Sequence, residues 1–132
     1  MSGTCPCGRT GSFGQVLAED ACCGPYLAGA REAPEPEALM RSRYTAFVRG
    51  DEAYLRRTWD PATRPDRLGL DPATRWVGLD VHEATASGDD GVVEFTARFR
   101  DGRPGAGGRL HERSRFRRSG GAWRYVDGDH LA

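Results

Sequence analysis

All four cysteines of the chain lie in one short N-terminal segment. Cys5 and Cys7 flank a proline, fourteen residues follow, and Cys22 and Cys23 are adjacent; the remainder of the 132 residues contains no cysteine. Four thiolates that the chain can bring together satisfy a tetrahedral Zn²⁺, with metal–sulfur bonds of about 2.3 Å and no open coordination position. The clustering therefore predicts a structural zinc site formed by Cys5, Cys7, Cys22 and Cys23.

The residues between the cysteines allow the segment to close on itself. Gly8, Gly11 and Gly14 give the backbone the freedom to fold over the sulfurs and reverse direction. Two alternatives stay open, namely independent reduced thiols and two disulfides, for which four cysteines allow three connectivities. Cys22 and Cys23 would bridge each other only with strain, and no apolar signal-peptide stretch indicates an oxidising compartment. We therefore favour zinc.

The charge balance limits the classes of partner. Nineteen basic and nineteen acidic residues cancel, so net charge gives no electrostatic reason to bind nucleic acid or an anionic membrane. The longest apolar runs are a few residues, too short to span a bilayer. We expect a soluble cytoplasmic protein. All nineteen basic residues are arginine, and without a lysine side chain Schiff-base catalysis on lysine is excluded.

Helical periodicity follows the cysteine segment. Prolines and acidic residues at 34–37 mark a helix start. A single apolar stripe follows, ending before Gly50, and consists of Met40, Tyr44, Phe47 and Val48. Asp51 is a plausible N-cap for a second helix that extends to about Trp59, because Pro61 prevents continuation.

From residue 77 onward the period changes to two, which is typical of half-buried strands. Every second residue of the first three runs is predicted to face inward: Val77, Leu79 and Val81; Val93, Phe95, Ala97 and Phe99; Leu110, Glu112, Ser114 and Phe116. Residues 123–126 form the fourth run. Turn signals at 87–91, 101–108 and 119–121 separate these four runs, and the glycine-rich stretch at 102–108 is predicted to be a loop tip. The pattern predicts an α+β fold in which helices pack on one face of a four-stranded antiparallel meander. We expect the following residues to be mostly buried in it: Met40, Tyr44, Phe47, Leu79, Val81, Phe95, Phe99, Leu110 and Phe116.

These strings together resemble the YchJ-like family, UPF0225. The resemblance covers nearly the whole chain: CPCG and CCGPYLAG at the N-terminus, MRSRYTAFVRGDEAYLRRTWDPATRP in the helices, and VEFTARFRDG, GRLHERSRF and WRYVDGDH in the strands. It implies an N-terminal SEC-C motif, a small zinc-binding knuckle over residues 1–30, joined to an NTF2-like α+β cone over residues 31–132. The spacing between the cysteine pairs is longer than SEC-C motifs usually have. Relatives usually carry Trp-His-Pro where this chain has Trp59-Asp60-Pro61.

The phase of the third strand predicts a carboxylate inside the cone. Glu112 shares a strand face with Leu110 and Phe116, because side chains alternate with period two. A buried carboxylate needs a partner, and we expect a bidentate pair with Arg43 on the first helix or, failing that, Arg64 in the following loop. Such a pair can serve only to fix the fold, or it can form the polar floor of a pocket.

Other candidates are weaker. Trp59, Trp76, Trp123 and Tyr125 can line such a pocket or simply form core. His82, His111 and His130 show no ligand spacing, and His111 belongs on the strand face opposite Glu112. Asp127 is a further, weaker candidate general base, for which the sequence favours a solvated or structural role.

Two function classes remain. The favoured one is a non-enzymatic module that contacts a protein through the zinc knuckle or binds a small ligand, with the cone as a scaffold that can also hold the ligand site. The alternative is a small enzyme of the hydratase or isomerase type, with Glu112 or Asp127 as general base and Arg43 or Arg64 as electrophile. Arg113, Arg115 and Arg117 form a basic stripe on one strand, which would be the footprint for nucleic acid. Because the charge of the whole chain is balanced, we expect this stripe to be a solvated face and disfavour nucleic-acid binding.

Overall fold

The computed structural model describes residues 3–101 and 107–131. A 3₁₀ turn at Glu19–Ala21 precedes three helices: α1 (Gly24–Leu27), α2 (Pro36–Arg49) and α3 (Glu52–Arg57). Four strands follow: β1 (Arg75–Ser87), β2 (Asp90–Arg100), β3 (Gly107–Ser119) and β4 (Ala122–Leu131). Most of the predicted loop tip at 102–108 lies outside the described residues. Its last two residues, 107 and 108, are described and begin β3.

The helix boundaries confirm the sequence signals. Pro36 opens α2, where its missing N–H costs nothing, and Gly50 ends the helix in a left-handed conformation (φ 69°) that other residues adopt only with strain. The Asp51 side chain caps α3 by accepting a hydrogen bond from the Tyr54 backbone N–H at 3.1 Å. The two helices thus follow each other directly between residues 36 and 57 and pack against each other.

The strands form one antiparallel sheet in the order β1-β2-β3-β4, as the meander prediction required. Gly88 allows the tight β1–β2 turn with a positive φ, and Gly120 and Gly121 do the same between β3 and β4. One inward assignment was wrong. An irregularity in the β1–β2 pairing follows Trp76, so Trp76 pairs inward opposite Phe99 while Val77 is left 52% exposed.

α2 packs against the sheet, contacting β1, β2 and β4. Of the nine core residues predicted from the sequence, Met40, Tyr44, Phe95 and Phe116 are buried, whereas the other five are only partly buried. A smaller apolar cluster of Ala46, Tyr54 and Leu55 lies apart from the main one. The partly buried Phe47 and Leu110 both border a cavity between α2 and the sheet.

The cysteine segment packs into the main core. Residues 4–18 form a narrow ribbon closed by bridges between Thr4 and Ala18 and between Thr10 and Val16. Cys5, Cys7 and Cys23 belong to the same apolar cluster as Leu39, Met40 and Tyr44. The knuckle is thus docked on α2, and the boundary at residues 30/31 stays a prediction. Among the described helices, none has the length and apolar character needed to cross a bilayer.

Candidate functional site

The four cysteine sulfurs converge on one point. All four Sγ atoms lie within 4.8 Å of one another. Cys7 Sγ is 3.6 Å from Cys22 Sγ, which is 3.9 Å from Cys23 Sγ. Bonds of about 2.3 Å to a tetrahedral zinc ion place the sulfurs about 3.8 Å apart, so the observed spacing fits that ion. All four cysteines are free.

The clustered sulfurs shift one another's pKa values. Hydrogen bonds from Cys23 and Cys7 lower the pKa of Cys5, and burial raises the pKa of Cys22 to about 12. Hydrogen bonding to Cys5 raises the pKa of Cys23 as well. Four thiolates therefore do not coexist here unaided, whereas a divalent ion deprotonates the thiols that bind it. Cys5 also lies 3.6 Å from the buried Thr45 hydroxyl of α2.

A cavity of about 320 Å³ lies between α2 and the sheet. Its wall is mostly apolar, with seven aromatic side chains contributed by α2, the segment after α3 and every strand. The residues that bring polar groups to it are Arg43, Glu112, Ser114 and His130, the tyrosines Tyr44 and Tyr125, and the indoles of Trp59 and Trp76. An apolar pocket with a small number of convergent polar groups is the usual form of a small-molecule site.

Glu112 provides the acidic group of this cavity. It is only 7% exposed, as the strand phase predicted. Its Oε2 accepts hydrogen bonds from the Ser114 hydroxyl at 2.5 Å and the Tyr125 hydroxyl at 3.2 Å. Its Oε1 is 3.2 Å from His130 Nε2. Burial, and then the nearby Glu112 carboxylate, raise the pKa of Tyr125, which keeps the phenol protonated as a donor.

Arg43 provides the basic group. It is 5% exposed, and its Nη1 donates to the Leu55 carbonyl at 2.9 Å and the Thr58 hydroxyl at 2.7 Å. The guanidinium carbon is 5.1 Å from the Trp59 ring centre and 4.6 Å from that of Tyr125, within cation–π range. Burial lowers the pKa of Arg43 to about 10, so the side chain is still charged at neutral pH.

The predicted ion pair was wrong. No arginine nitrogen lies within 4 Å of a Glu112 carboxylate oxygen among the described residues. Arg43 reaches the same cavity, but its Nη1 donates to Leu55 in α3 and to Thr58 directly after it, and two aromatic rings flank its guanidinium. Arg64 is exposed and donates to the Arg56 carbonyl at 3.1 Å, outside the cavity.

Other candidates lie on the outer face of the sheet. Asp127 accepts from Arg115 at 2.6 Å, so its carboxylate neutralises part of the basic stripe and does not line the cavity. Arg113 pairs with Glu94, which also contacts His111 at 2.9 Å. His111 therefore lies opposite Glu112, as predicted. Trp59, Trp76 and Tyr125 line the cavity, whereas Trp123 is buried in the core.

Sequence reasoning missed three groups of the site. His130 was set aside because the three histidines show no ligand spacing, yet it is directly paired with Glu112 across β3 and β4. Tyr125 was treated only as an aromatic wall, although its hydroxyl bonds Glu112. Among described buried side-chain polar atoms, only Trp59 Nε1 has no hydrogen-bond partner. The glycine turn at 120–121 indicated the β3–β4 hairpin, but its register alone would pair Glu112 with Asp129, so no local signal pointed to His130.

Comparison with known proteins identifies what the chain resembles. A family sequence model described as "YchJ, middle NTF2-like domain" matches residues 35–128. A UPF0225 protein of Streptomyces coelicolor is 52% identical, with 96% of this chain and 95% of that protein aligned. One from Polaromonas naphthalenivorans is 48% identical, with 98% of each chain aligned.

Solved structures agree. The solution structure of a SEC-C motif containing protein from Rhodopseudomonas palustris superposes with a TM-score of 0.83 at 38% identity, covering 98% of this chain and 100% of that one. The crystal structure of a SEC-C motif containing protein from Psychrobacter arcticus gives a TM-score of 0.78 at 30% identity, covering 98% and 83%. The fold is therefore an NTF2-like α+β domain with an N-terminal cysteine cluster consistent with a SEC-C knuckle.

Proposed function

The chain belongs to the UPF0225 family, and on that premise we propose that it is a zinc-stabilised binding module whose cone takes up a small molecule. The observation that carries the proposal is the cavity: an apolar, aromatic chamber of about 320 Å³ with one buried carboxylate and one buried guanidinium on its wall. Pockets of this size and composition suit small organic ligands.

The zinc ion has a structural role in this proposal. Cys5, Cys7, Cys22 and Cys23 hold it in a closed tetrahedron, which leaves no coordination position for a substrate or reacting water. When bound, the ion would offset half of the charge of the four thiolates and tie the ribbon of residues 4–18 to α1. The support is the sulfur spacing and the thiol environment described above.

Metal analysis tests the zinc proposal. Purified protein should contain about one zinc per chain, released by a thiol-modifying reagent. The Cys22→Ser variant should bind zinc more weakly, and Val16→Ser, on the same ribbon but without a sulfur ligand, should bind it normally. Metal content near zero in freshly purified wild type would contradict the proposal.

A thermal-shift screen against a small-metabolite library tests the ligand proposal. Compounds that stabilise the wild type should lose their effect in Ala97→Leu, because Ala97 lines the cavity and a larger side chain fills it. Ala53→Leu, on the exposed face of α3, is the matched control and should keep every response. A screen without hits, or hits that persist in Ala97→Leu, would contradict cavity binding.

Protein contact through the knuckle is the second part of the proposal. Its support is Phe13, which is 94% exposed at the tip of the ribbon, close to the partly exposed Val16. A photo-reactive phenylalanine analogue at position 13 should form one defined cross-linked adduct in cells. The same analogue at position 77, where Val77 is exposed on the sheet, is the control and should not form that adduct.

A proton-transfer enzyme of the hydratase or isomerase type is a second candidate function. The observation that favours it is the 3.2 Å approach of His130 Nε2 to Glu112 Oε1 beside Arg43 at one cavity. A compound that binds in the screen should then exchange a carbon-bound proton with D₂O in the presence of the protein. Glu112→Gln should abolish this exchange, whereas binding without exchange would favour the module.

A further inference from the structure

The polar groups of the cavity define the chemistry of its occupant. We infer that the cavity takes a flat, uncharged ligand of about bicyclic size whose polar edge carries one hydrogen-bond donor and one acceptor, as a lactam or cyclic amide does. This inference rests on the proposed ligand-binding function. It follows from three properties of the described residues: the size of the cavity, the balance of its charges, and the hydrogen-bonding capacity left over at Glu112 and Arg43.

Size and shape come first. The cavity of about 320 Å³ is about twice the ~150 Å³ apolar cavity that takes up benzene. Its aromatic walls favour planar ligands, which can stack or meet ring edges. Trp76 is tilted against Phe47 at 5.9 Å, and Trp59 is edge-on to Tyr125 at 4.8 Å. A fused pair of six-membered rings matches this space.

The charges of the two buried ionic side chains on the cavity wall cancel. Arg43 contributes one positive charge and Glu112 one negative charge, and both side chains are almost fully withdrawn from solvent. An anionic ligand that contacts Arg43 is also repelled by the Glu112 carboxylate. A cationic ligand that contacts Glu112 is likewise repelled by the Arg43 guanidinium. Burying a charge without its own partner is costly, so a neutral ligand is preferred.

Both charged groups retain unused hydrogen-bonding capacity. Arg43 uses only Nη1, which leaves three of the five guanidinium N–H groups without a protein acceptor among the described residues. These nitrogens are not among the fully enclosed polar atoms without a partner, and Arg43 is one of the residues that line the cavity. Glu112 Oε1 contacts only His130 Nε2 and retains a lone pair. Of the two charged side chains, Arg43 therefore offers the cavity a donor group and Glu112 an acceptor.

Three probes of one shape test the inference. 2-Quinolone presents an adjacent N–H and C=O, quinoline presents only an acceptor, and 2-naphthoate presents an anion. Binding to zinc-loaded, ¹⁵N-labelled full-length protein is followed by NMR, using the side-chain signals of Arg43, Trp59 and Trp76 as cavity reporters. We expect 2-quinolone to bind about tenfold or more tighter than either other probe, the effect of one hydrogen bond to a charged group.

Glu112→Gln should reverse this selectivity. Without the carboxylate charge, Arg43 is free to pair with an anion, so 2-naphthoate should bind the variant about tenfold or more tighter than it binds wild type. Glu94→Gln is the matched control: it makes the same change on the outer face of β2 and should leave all three affinities unaltered. Backbone spectra establish that both variants are folded.

Two outcomes would overturn the inference in different ways. If 2-naphthoate or quinoline binds wild type as tightly as 2-quinolone, with shifts at the cavity reporters, the ligand class is wrong and the binding function stands. If no probe moves the reporters and the metabolite screen also yields no cavity ligand, both fail. If Glu112→Gln does not fold, Ser114→Ala replaces it: loss of the hydroxyl that orients Oε2 should reduce the preference for 2-quinolone.

Discussion

Gly128 leaves the space in which the Glu112 carboxylate lies. A Cβ atom at this position would be 2.5 Å from Glu112 Oε2 and 2.7 Å from its Cδ. Gly128 has no positive φ, so the requirement is one of space and not of backbone conformation. A single missing methyl group on β4 thus allows a charged side chain to be buried on β3.

We expect Gly128→Ala to lower the free energy of unfolding by about 1–3 kcal/mol, because the carboxylate must move from its hydrogen-bond partners or the strands must separate. Urea denaturation measures the effect. Gly3→Ala, whose Cβ would have nothing within 4 Å, is the control and should change stability little. Equal effects in the two variants would contradict the steric argument.

Thr58 has a comparable role for Arg43. Its buried hydroxyl accepts from Arg43 Nη1 at 2.7 Å and donates to the Tyr54 carbonyl at 2.8 Å. Thr58→Val keeps the shape but removes this acceptor from a buried cation, and should cost about 1–3 kcal/mol of unfolding free energy. Thr85→Val makes the same change at an exposed position of β1. A loss at Thr58 no larger than at Thr85 would mean that the hydroxyl does not stabilise Arg43.

At the scale of elements, the knuckle and α2 stabilise each other. Three of the four sulfurs are buried against α2, and Arg41 Nη1 donates to the Cys7 carbonyl at 2.8 Å. Ion pairs between Arg9 and Glu35 and between Arg49 and Glu19 add further links. The knuckle is therefore more than a detachable N-terminal appendage, and its loss should be felt beyond residue 30.

Cys22→Ser, or removal of zinc by a chelator, should lower hydrogen-exchange protection in residues 4–30 and in α2, while β2 and β3 stay protected. The reason is that α2 loses a packing partner, whereas the central strands keep theirs on both edges. Val16→Ser should leave the pattern of wild type. Loss confined to residues 4–30 would contradict the coupling, and uniform loss over the chain would show that the sheet cannot fold without the knuckle.

At the scale of the whole molecule, buried tyrosines should make stability sensitive to alkaline pH. Burial is the largest cause that raises the pKa of Tyr44, Tyr54 and Tyr125 above the ordinary value of 10.0. The pKa of such a phenol is higher in the folded protein than in the unfolded chain. Its contribution to the free energy of unfolding is therefore fully present at pH values below the unfolded pKa. That contribution is lost as pH rises through the folded pKa.

Tyr125→Phe should therefore lose stability less steeply than wild type between about pH 9 and pH 11. The missing hydroxyl bond to Glu112 lowers stability by a constant amount, so the slope is the quantity to compare. Arg43, whose pKa burial lowers to about 10, contributes in the opposite direction in both proteins. Urea unfolding at several pH values measures the slopes. Equal slopes would contradict the assignment to Tyr125.

The sequence alone determined the parts of this protein that depend on local periodicity. The clustering of the cysteines, the start and end of α2, the cap of α3 and the order of the four strands all follow from patterns within a few residues. The burial of Glu112 belongs to the same class, because alternate side chains on a strand share a face whatever the strand pairs with. The sulfur cluster and the cavity carboxylate were predictable for this reason.

The tertiary structure alone decided the partners of those groups. Continued without a shift, the Ser119–Ala122 register would place Asp129 opposite Glu112. An irregularity between Arg115 and Phe116 moves the pairing by one residue, so His130 lies there instead. This irregularity lies next to Tyr125, whose backbone N–H and C=O form hydrogen bonds with the segment after α3. Likewise, α3 supplies the acceptors that hold Arg43 away from Glu112. Such choices depend on contacts between distant segments, and no local period encodes them.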